Sequence, residues 1–423
     1  MLNDKVKEIA KTTGKHHFFG YYDISPFDDK DEKILAHEVD FIDRMPTGKE
    51  PAGIGYFTGK QKFKKLAETY AWNFQQGARL QWLPNLANTI IYNDYDNNRF
   101  ISIILNIETK EKRVLPMPIY AIDPKGEFAL TFNFARLNWV GGYGYVGVED
   151  KYKNELAPKN DGIYKMDLKT GESKLIISTA FIANSKNSQK IDSPHYLTMA
   201  LLNPKGDRFA FLHRYKLLDG GIHTRLFTVN QDGTNLYLLA EGTLSHFDWF
   251  SEDEIFVWGR KKSLLVDIRK KNFFRSPILT PFLNFIRRQK GFLRHHIIGD
   301  QLLLFQDKIS FPAGSIGVNK ITEDGHFTRY KDTDWILGDN YPDKDHSRDL
   351  FLFNLKSKKK RILGRFYSLV EGLAASWDLS AMRSDLHPRW NRDGTQICFD
   401  SVHEGSRQIY ILDVSEIVNY GKN

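Results

Sequence analysis

Asp123-Pro124-Lys125-Gly126 and Asn203-Pro204-Lys205-Gly206 are two copies of one turn phrase, and each leads into an apolar run. The runs are Phe128-Ala129-Leu130 and Phe209-Ala210-Phe211. A polar turn that leads into a strand, recurring at roughly 40 to 70 residues, is typical of a β-propeller blade. Reduced copies of the phrase stand at Ser25-Pro26-Phe27-Asp28, Ser251-Glu252-Asp253 and Arg392-Asp393-Gly394.

The turn phrases divide the chain into about seven units, which begin near residues 20, 72, 118, 195, 244, 326 and 385. We therefore predict an all-β chain that forms a single closed β-propeller over residues 1–423, with seven blades of four antiparallel strands, or six as the alternative. Inserted loops are expected near 45–70, 138–160, 178–194 and 270–300. Strand segments that end in a polar turn are Ser102–Ile107, Ile163–Leu168, Leu226–Asn230, Leu264–Ile268, Leu350–Leu355 and Gln408–Leu412.

The charge balance is basic, with a formal net charge of +8, and it permits an acidic partner such as a uronic-acid polymer. The run Lys358-Lys359-Lys360-Arg361 lies between expected strands, where a solvated turn explains it. Because the chain has no base-stacking motif and no long basic helix, we do not expect nucleic acid as the partner. Aromatic residues make up 13% of the chain, which suits both β-structure and the stacking of rings on sugar faces.

The single cysteine, Cys398, lies in an apolar strand segment, so we expect a buried thiol and no disulfide framework. The N-terminal residues contain no apolar run of signal-peptide length, and no stretch approaches the roughly 18 apolar residues of a membrane helix. A soluble, cytoplasmic protein without a membrane span is therefore the expectation.

Polar side chains cluster just before or within the first strand of several units. In a propeller the innermost strand lines the central channel, so these side chains are expected to converge on a ligand pocket. Alternatively, they tie neighbouring blades together by hydrogen bonds, but a structural device would repeat one residue type and this set varies. The substrate-binding candidates are His17, Tyr21, Tyr22, Asp23, Gln76, Gln81, His213, His246, Asp248, Arg383 and Asp385.

Four motifs in the C-terminal half, in this order, resemble the oligogalacturonate lyase family of seven-bladed propellers. The rest of the chain is similar to that family only in its repeat architecture. The resemblance implies β-elimination on a uronic-acid sugar, assisted by a divalent metal such as manganese that three histidines and one glutamine hold. The motifs are His195 with Asn203-Pro204-Lys205-Gly206, Phe211-Leu212-His213, His246-Phe247-Asp248-Trp249, and His387-Pro388-Arg389-Trp390 with Asp393-Gly394.

The metal ligands that the resemblance implies are not all retained. His246 matches the first metal histidine, and His387 matches the first member of a His-Pro-His pair. Arg389 stands in place of the second member, and Asp385 or Ser384 stands near the position of the glutamine. A guanidinium is a permanent cation that cannot coordinate a metal. We therefore expect no metal cofactor, with His246 and His387 as the remaining candidates and manganese as the ion that the resemblance implies.

Elimination from a uronide requires loss of the C5 proton, which is acidic only when the neighbouring carboxylate is neutralised. Arg389, Arg383 or Arg214 could neutralise it by bidentate pairing. A histidine with a pKa near 6.5 suits proton abstraction, and His195 matches the family's catalytic histidine. The catalytic candidates are thus His195, Arg214, His387 and Arg389, with Tyr21, Tyr22 or Tyr196 assisting the leaving oxygen and Asp23, Asp248 and Asp385 as carboxylates for a hydrolytic alternative.

Two function hypotheses follow. The first is an enzyme that acts on an acidic oligosaccharide or polysaccharide, most simply as a β-eliminating lyase. The second is a non-catalytic propeller that binds a glycan or protein partner, for example in a surface-polysaccharide pathway. A peptidase is a weaker third option because the chain has no Gly-x-Ser-x-Gly elbow. Because they stand ahead of successive blade turns, we expect His195, His246, Arg383 and His387 to cluster at one mouth of the channel.

Overall fold

The computed structural model describes residues 2–59, 62–185, 192–217, 220–260, 299–331, 333–368 and 384–419. Strands dominate these ranges, and the helices in them are short: α1 (Phe134–Arg136), a π-helical turn (Leu137–Gly141), α2 (Thr179–Ala183) and α3 (Ser415–Val418). None of these helices is long and apolar enough to cross a membrane.

Seven four-stranded antiparallel sheets form the blades of a β-propeller, as the turn phrases predicted. The first three sheets are β2–β5 (His16–Phe18, Ile34–Val39, Ala52–Phe57, Lys64–Thr69), β6–β9 (Gln81–Trp82, Thr89–Asp96, Arg99–Asn106, Lys112–Leu115) and β10–β13 (Ala121–Ile122, Phe128–Thr131, Gly162–Asp167, Ser173–Ser178). The next two are β14–β17 (Tyr196–Leu202, Arg208–Lys216, Ile222–Asn230, Tyr237–Gly242) and β18–β21 (Leu244–Trp249, Glu254–Arg260, Asp300–Gln306, Pro312–Ile316).

The last two sheets are β22–β25 (Phe327–Arg329, Trp335–Asp339, Ser347–Asn354, Lys360–Tyr367) and a sheet that joins the two ends of the chain. In that sheet β1 (Lys7–Lys11) pairs with β28 (Gln408–Asp413), which follows β26 (Arg389–Trp390) and β27 (Gln396–Ser401). The N-terminal strand thereby covers what would otherwise be an exposed edge of the last blade. This pairing is the closure predicted from the repeat.

The turn phrase forms for a local reason. The Asp123 carboxylate accepts hydrogen bonds from the backbone N–H groups of Lys125, Glu127 and Phe128, so it caps the turn that leads into β11. Gly126 has a φ of +71°, which glycine adopts without steric cost. A Cβ at Gly126 would also lie 2.7 Å from the carbonyl oxygen of Pro84. The phrase therefore encodes both the turn and its packing.

The described chain separates into two compact units. Unit 1 comprises residues 1–150, 166–173 and 326–423, and unit 2 comprises residues 151–165 and 174–325. The blade strands of unit 1 bury large apolar cores, one around Phe18, Leu35 and Ile54 and another around Leu337, Leu352 and Leu412. Burial of these side chains stabilises the strands that carry the polar site described below.

The range 45–70 is not simply an inserted loop, because it contains β4 and β5. The two glycines of β4 and the exposed, lysine-rich start of β5 gave a weak strand signal. The range 138–160 lies outside the strands. Most of 270–300, the segment Leu264–Ile268 and residues 186–191 of the range 178–194 lie outside the described residues. That all 423 residues form one domain stays a prediction.

Candidate functional site

A cluster of three buried side chains lies at the first strands of two blades in unit 1. His326 immediately precedes β22, and Asp385 and His387 lie in the segment that leads into β26. His326, Asp385 and His387 are 2%, 3% and 0% exposed. Each offers one ligand-type atom, and these atoms lie within 4.8 Å of one another. We call this group the His–Asp–His cluster.

The two imidazoles of the cluster meet edge to face. The ring centroids of His326 and His387 are 4.3 Å apart and their planes are 81° apart. The Nε2 atom of His387 lies 4.0 Å from the Oδ2 atom of Asp385. This separation is too long for a hydrogen bond, but it suits two ligands that share one cation at about 2.1 Å each.

Asp339, at the end of β23, orients His326. Its Oδ1 and Oδ2 atoms lie 2.9 and 3.1 Å from His326 Nδ1, and Oδ1 also accepts the backbone N–H of His326 at 2.8 Å. A carboxylate on one ring nitrogen fixes the tautomer and presents the other nitrogen to a metal. His326 Nε2 is therefore the atom that would act as a ligand.

Arg348, on β24, holds the carboxylate of Asp385. The Arg348 guanidinium is fully buried and pairs with Asp385 Oδ1. It also donates to the carbonyl oxygen of Asn340 at 3.0 Å and lies 3.9 Å from Asp339 Oδ2. One buried cation thus partly neutralises the two carboxylates of the site.

His387 is the member of the cluster whose environment most clearly suits a ligand. Neither of its ring nitrogens has a hydrogen-bond partner within the described ranges. Burial, together with the nearby His326 and Arg389, lowers the pKa of His387 well below its ordinary value. Its backbone has a φ of +42°, in the left-handed region that favours glycine. A neutral imidazole whose ring nitrogens are not used in hydrogen bonds is the form that binds a divalent metal.

Two tyrosines that follow β2 pack against the cluster. The Tyr21 ring lies edge-on to His387 at 5.0 Å, and the Tyr22 ring lies 5.1 Å from His326. Burial raises the pKa of Tyr21 well above its ordinary value of 10.0. Its hydroxyl therefore keeps its proton at neutral pH and can act as a hydrogen-bond donor.

Arg389 differs from the expectation that it faces a ligand. It is 1% exposed, and its Nη1 atom lies 3.2 Å from Asp400 Oδ1. It also donates to the carbonyl oxygens of Gly20 and Tyr21. The Asp400 carboxylate therefore offsets the positive charge of Arg389 in the interior. The geometry favours a supporting role beneath Tyr21 over pairing with a substrate carboxylate.

The other predicted residues of unit 1 make contacts that support the blades. The Asp23 carboxylate pairs with both terminal nitrogens of Arg79, at 3.0 and 2.6 Å. Buried His17 contacts Gln408 at 3.1 Å and Glu38 at 3.4 Å, so it links β2 to β28.

The two predicted glutamines are also buried. Gln76 lies in the turn before β6, and Gln81 lies on β6, where it donates to the carbonyl oxygen of Arg79 at 3.2 Å. Arg383 lies outside the described residues.

The predicted histidines of unit 2 form a separate group. His195 Nδ1 lies 2.8 Å from His213 Nε2, and the His195 ring stacks on Tyr215 at 4.6 Å. Burial lowers the pKa of His213 well below its ordinary value, so His213 stays neutral at neutral pH. Arg214 is half-buried on β15, opposite Tyr196.

His246 and Asp248 both lie on β18, also in unit 2. His246 Nδ1 lies 3.1 Å from Asp324, and Asp248 accepts the backbone N–H of Trp249. Since these residues and His195 belong to unit 2, their convergence with His387 stays a prediction.

The sequence interpretation missed His326, Asp339 and Arg348. A signal for His326 existed, because it directly precedes the first strand of its blade, as His195 does. No local signal marked Asp339 or Arg348, which lie inside β23 and β24 and reach the site only through the pairing of those strands.

Two solved structures share this fold over nearly the full chain. An oligogalacturonate lyase from Vibrio parahaemolyticus is 15% identical with a TM-score of 0.61, covering 98% of this chain and 94% of that chain. An oligogalacturonate lyase in complex with manganese is 15% identical with a TM-score of 0.56, covering 99% of this chain and 100% of that chain. At this identity the likeness shows the fold. No protein-family model and no curated protein sequence matches the chain.

Proposed function

We propose that this protein is a lyase that cleaves a uronic-acid-containing oligosaccharide by β-elimination, with a divalent metal held by His326, Asp385 and His387. The His–Asp–His cluster carries the proposal, because it unites three buried ligand-type atoms within 4.8 Å. The same fold occurs in an oligogalacturonate lyase that was solved with manganese.

The donor set fits a divalent cation. Two imidazoles and one carboxylate suit manganese and its neighbours in the first transition row, and three protein ligands leave positions open for substrate. Asp339 behind His326 and Arg348 behind Asp385 supply the outer contacts that orient such ligands. A cation bound there would neutralise the uronate carboxylate, which makes the C5 proton acidic.

The other steps of the elimination need side chains of the protein that transfer protons. In the elimination a base takes the C5 proton, the C4–O bond breaks, and the electron pair forms the C4–C5 double bond while the departing sugar oxygen gains a proton. The protonated Tyr21 hydroxyl can donate to a sugar oxygen beside the cluster. His195, which matches the family's catalytic histidine, has its ring orientation set by His213 and Tyr215 within unit 2.

Metal analysis combined with an elimination assay tests the proposal. We expect protein purified without chelator to contain about one transition-metal ion per chain, and His326→Ala and His387→Ala to lose it. His246→Ala is the matched control, because His246 also contacts a carboxylate, that of Asp324, but does not belong to the cluster. Activity is measured as the ultraviolet absorbance of the unsaturated product from oligogalacturonides.

Two results would contradict the proposal. Metal that survives both cluster variants but is lost in His246→Ala would place the ion elsewhere. Metal-loaded protein that binds oligouronides without forming an unsaturated product would favour the non-catalytic, glycan-binding propeller.

A further inference from the structure

The segment between β11 and β12 contains Trp139, whose indole is held in one orientation by a buried carboxylate. The buried Asp150 carboxylate accepts the Trp139 Nε1–H at 2.9 Å. The same carboxylate accepts from Asn133 at 2.8 Å and from Arg136 at 3.1 Å. Trp139 itself is 38% exposed. Three donors from one short segment thus converge on one buried acid, and an exposed ring is held in place by it.

The surroundings of the indole leave room for a ligand. Arg136 lies 5.6 Å from the Trp139 ring centroid, on one face. Trp139 belongs to the π-helical turn, a conformation that occurs frequently at functional sites. The turn is capped by Gly142. With 38% of its surface exposed, the Trp139 ring is accessible to a ligand.

Continuous packing within unit 1 connects this segment to the His–Asp–His cluster. Asp23, next to Tyr22, pairs with Arg79, and the Arg79 guanidinium lies 3.9 Å from the Tyr120 ring centroid. The Tyr120 ring lies 6.3 Å from Phe134, which opens α1 directly before the π-helical turn.

A second connection comes from Asn73, which donates to the carbonyl oxygens of Tyr143 and Gly144, each at 2.9 Å. The segment that carries Trp139 is thus anchored to unit 1 at several points along its length.

We propose that Trp139 is a saccharide-stacking subsite, which binds a sugar ring of the oligosaccharide beyond the rings held at the His–Asp–His cluster. The substrate class rests on the proposed function. The apolar C–H face of a pyranose packs on an aromatic plane, and tryptophan offers the largest such plane. A protein partner fits less well, because one indole beside glycines falls far short of the roughly 1,000 Å² that a stable interface buries.

The test compares substrates of different length. In Trp139→Ala we expect KM for oligogalacturonides of four or more rings to rise roughly 5- to 10-fold, the loss of one aromatic stacking contact. KM and kcat for the disaccharide should stay unchanged. Trp139→Phe keeps an aromatic ring but loses the hydrogen bond to Asp150, so it should restore only part of the loss. Tyr95→Ala is the control, because Tyr95 is an equally exposed aromatic of unit 1 at 38%.

A second measurement uses the unaltered protein. The indole N–H resonance of Trp139, assigned by comparison with Trp139→Phe, should shift when the longer oligosaccharide is added and not when the disaccharide is added. An unmoved resonance, or equal KM values for Trp139→Ala and the parent on long substrates, would overturn the subsite. If the parent forms no unsaturated product, the proposed function fails, and the same titration still decides whether Trp139 binds the sugar.

Discussion

Arg348 pairs with Asp385, and its guanidinium also lies 3.9 Å from Asp339, so one fully buried cation serves the carboxylate of the His–Asp–His cluster and the carboxylate behind His326. Neither carboxylate is more than 5% exposed in its side chain. The site is therefore held together by charges that water cannot screen.

Removing Arg348 should destabilise the protein strongly. Arg348→Met leaves Asp339 and Asp385 buried without their cation, and we expect a loss of about 3–5 kcal/mol in the free energy of unfolding. The control is Arg365→Met, because Arg365 pairs with Asp343 and Asp349 at the surface and should contribute at most about 1 kcal/mol. Denaturant unfolding measures the free energy lost in each variant. Equal losses would show that Arg348 contributes no more to stability than the surface residue Arg365.

Asp339→Asn should weaken metal binding. The variant removes the negative charge behind His326 while keeping an oxygen that can accept from Nδ1, so the affinity should fall by about 10- to 100-fold. Asp324→Asn is the matched control, because Asp324 stands in the same relation to His246. Competition with a chelator measures the affinity, and an equal loss in the two variants would argue against the His–Asp–His cluster.

Arg389 should matter for stability more than for substrate affinity. Arg389→Met leaves Asp400 buried and unpaired, which we expect to cost about 3–5 kcal/mol of unfolding free energy. KM for the folded variant should change little, since the guanidinium faces Asp400 and the carbonyl oxygens of Gly20 and Tyr21. A large rise in KM with unchanged stability would restore the sequence-based assignment of Arg389 to the substrate carboxylate.

Acid should destabilise the fold partly through His37. Burial lowers the pKa of His37 to about 3, and its Nε2 accepts the backbone N–H of Ala78. A folded pKa below the unfolded 6.5 means that the His37 contribution is fully present above pH 6.5 and is lost as the pH falls toward 3.

In His37→Gln the amide oxygen can accept from Ala78 without titrating. Between neutrality and pH 4.5 the parent should therefore lose about 2–3 kcal/mol more stability than His37→Gln. Unfolding curves across that range measure the difference, and parallel pH profiles would show that His37 does not titrate as its burial indicates.

Short-range sequence signals were sufficient for the blades. Asp123 accepts hydrogen bonds from backbone groups no more than five residues away, and Gly126 has a positive φ in the same turn. Both features can therefore be predicted from one short stretch of sequence. The same reasoning located the first strand of each blade to within a few residues in most cases, for example β14 at Tyr196 and β22 at Phe327. The predicted loop at 45–70 failed because Gly53 and Gly55 obscure the alternation of β4.

The site required contacts that no local pattern contains. Sequence reasoning selected His387 and Asp385 because they stand before a strand, but their partners His326, Asp339 and Arg348 lie tens of residues away and arrive through the pairing of β22, β23 and β24. The roles of Arg389 and Asp23 were likewise decided by Asp400 and Arg79. A charged side chain binds a ligand or supports the fold according to which opposite charge it meets in the low-dielectric interior, and only the folded chain brings those charges together.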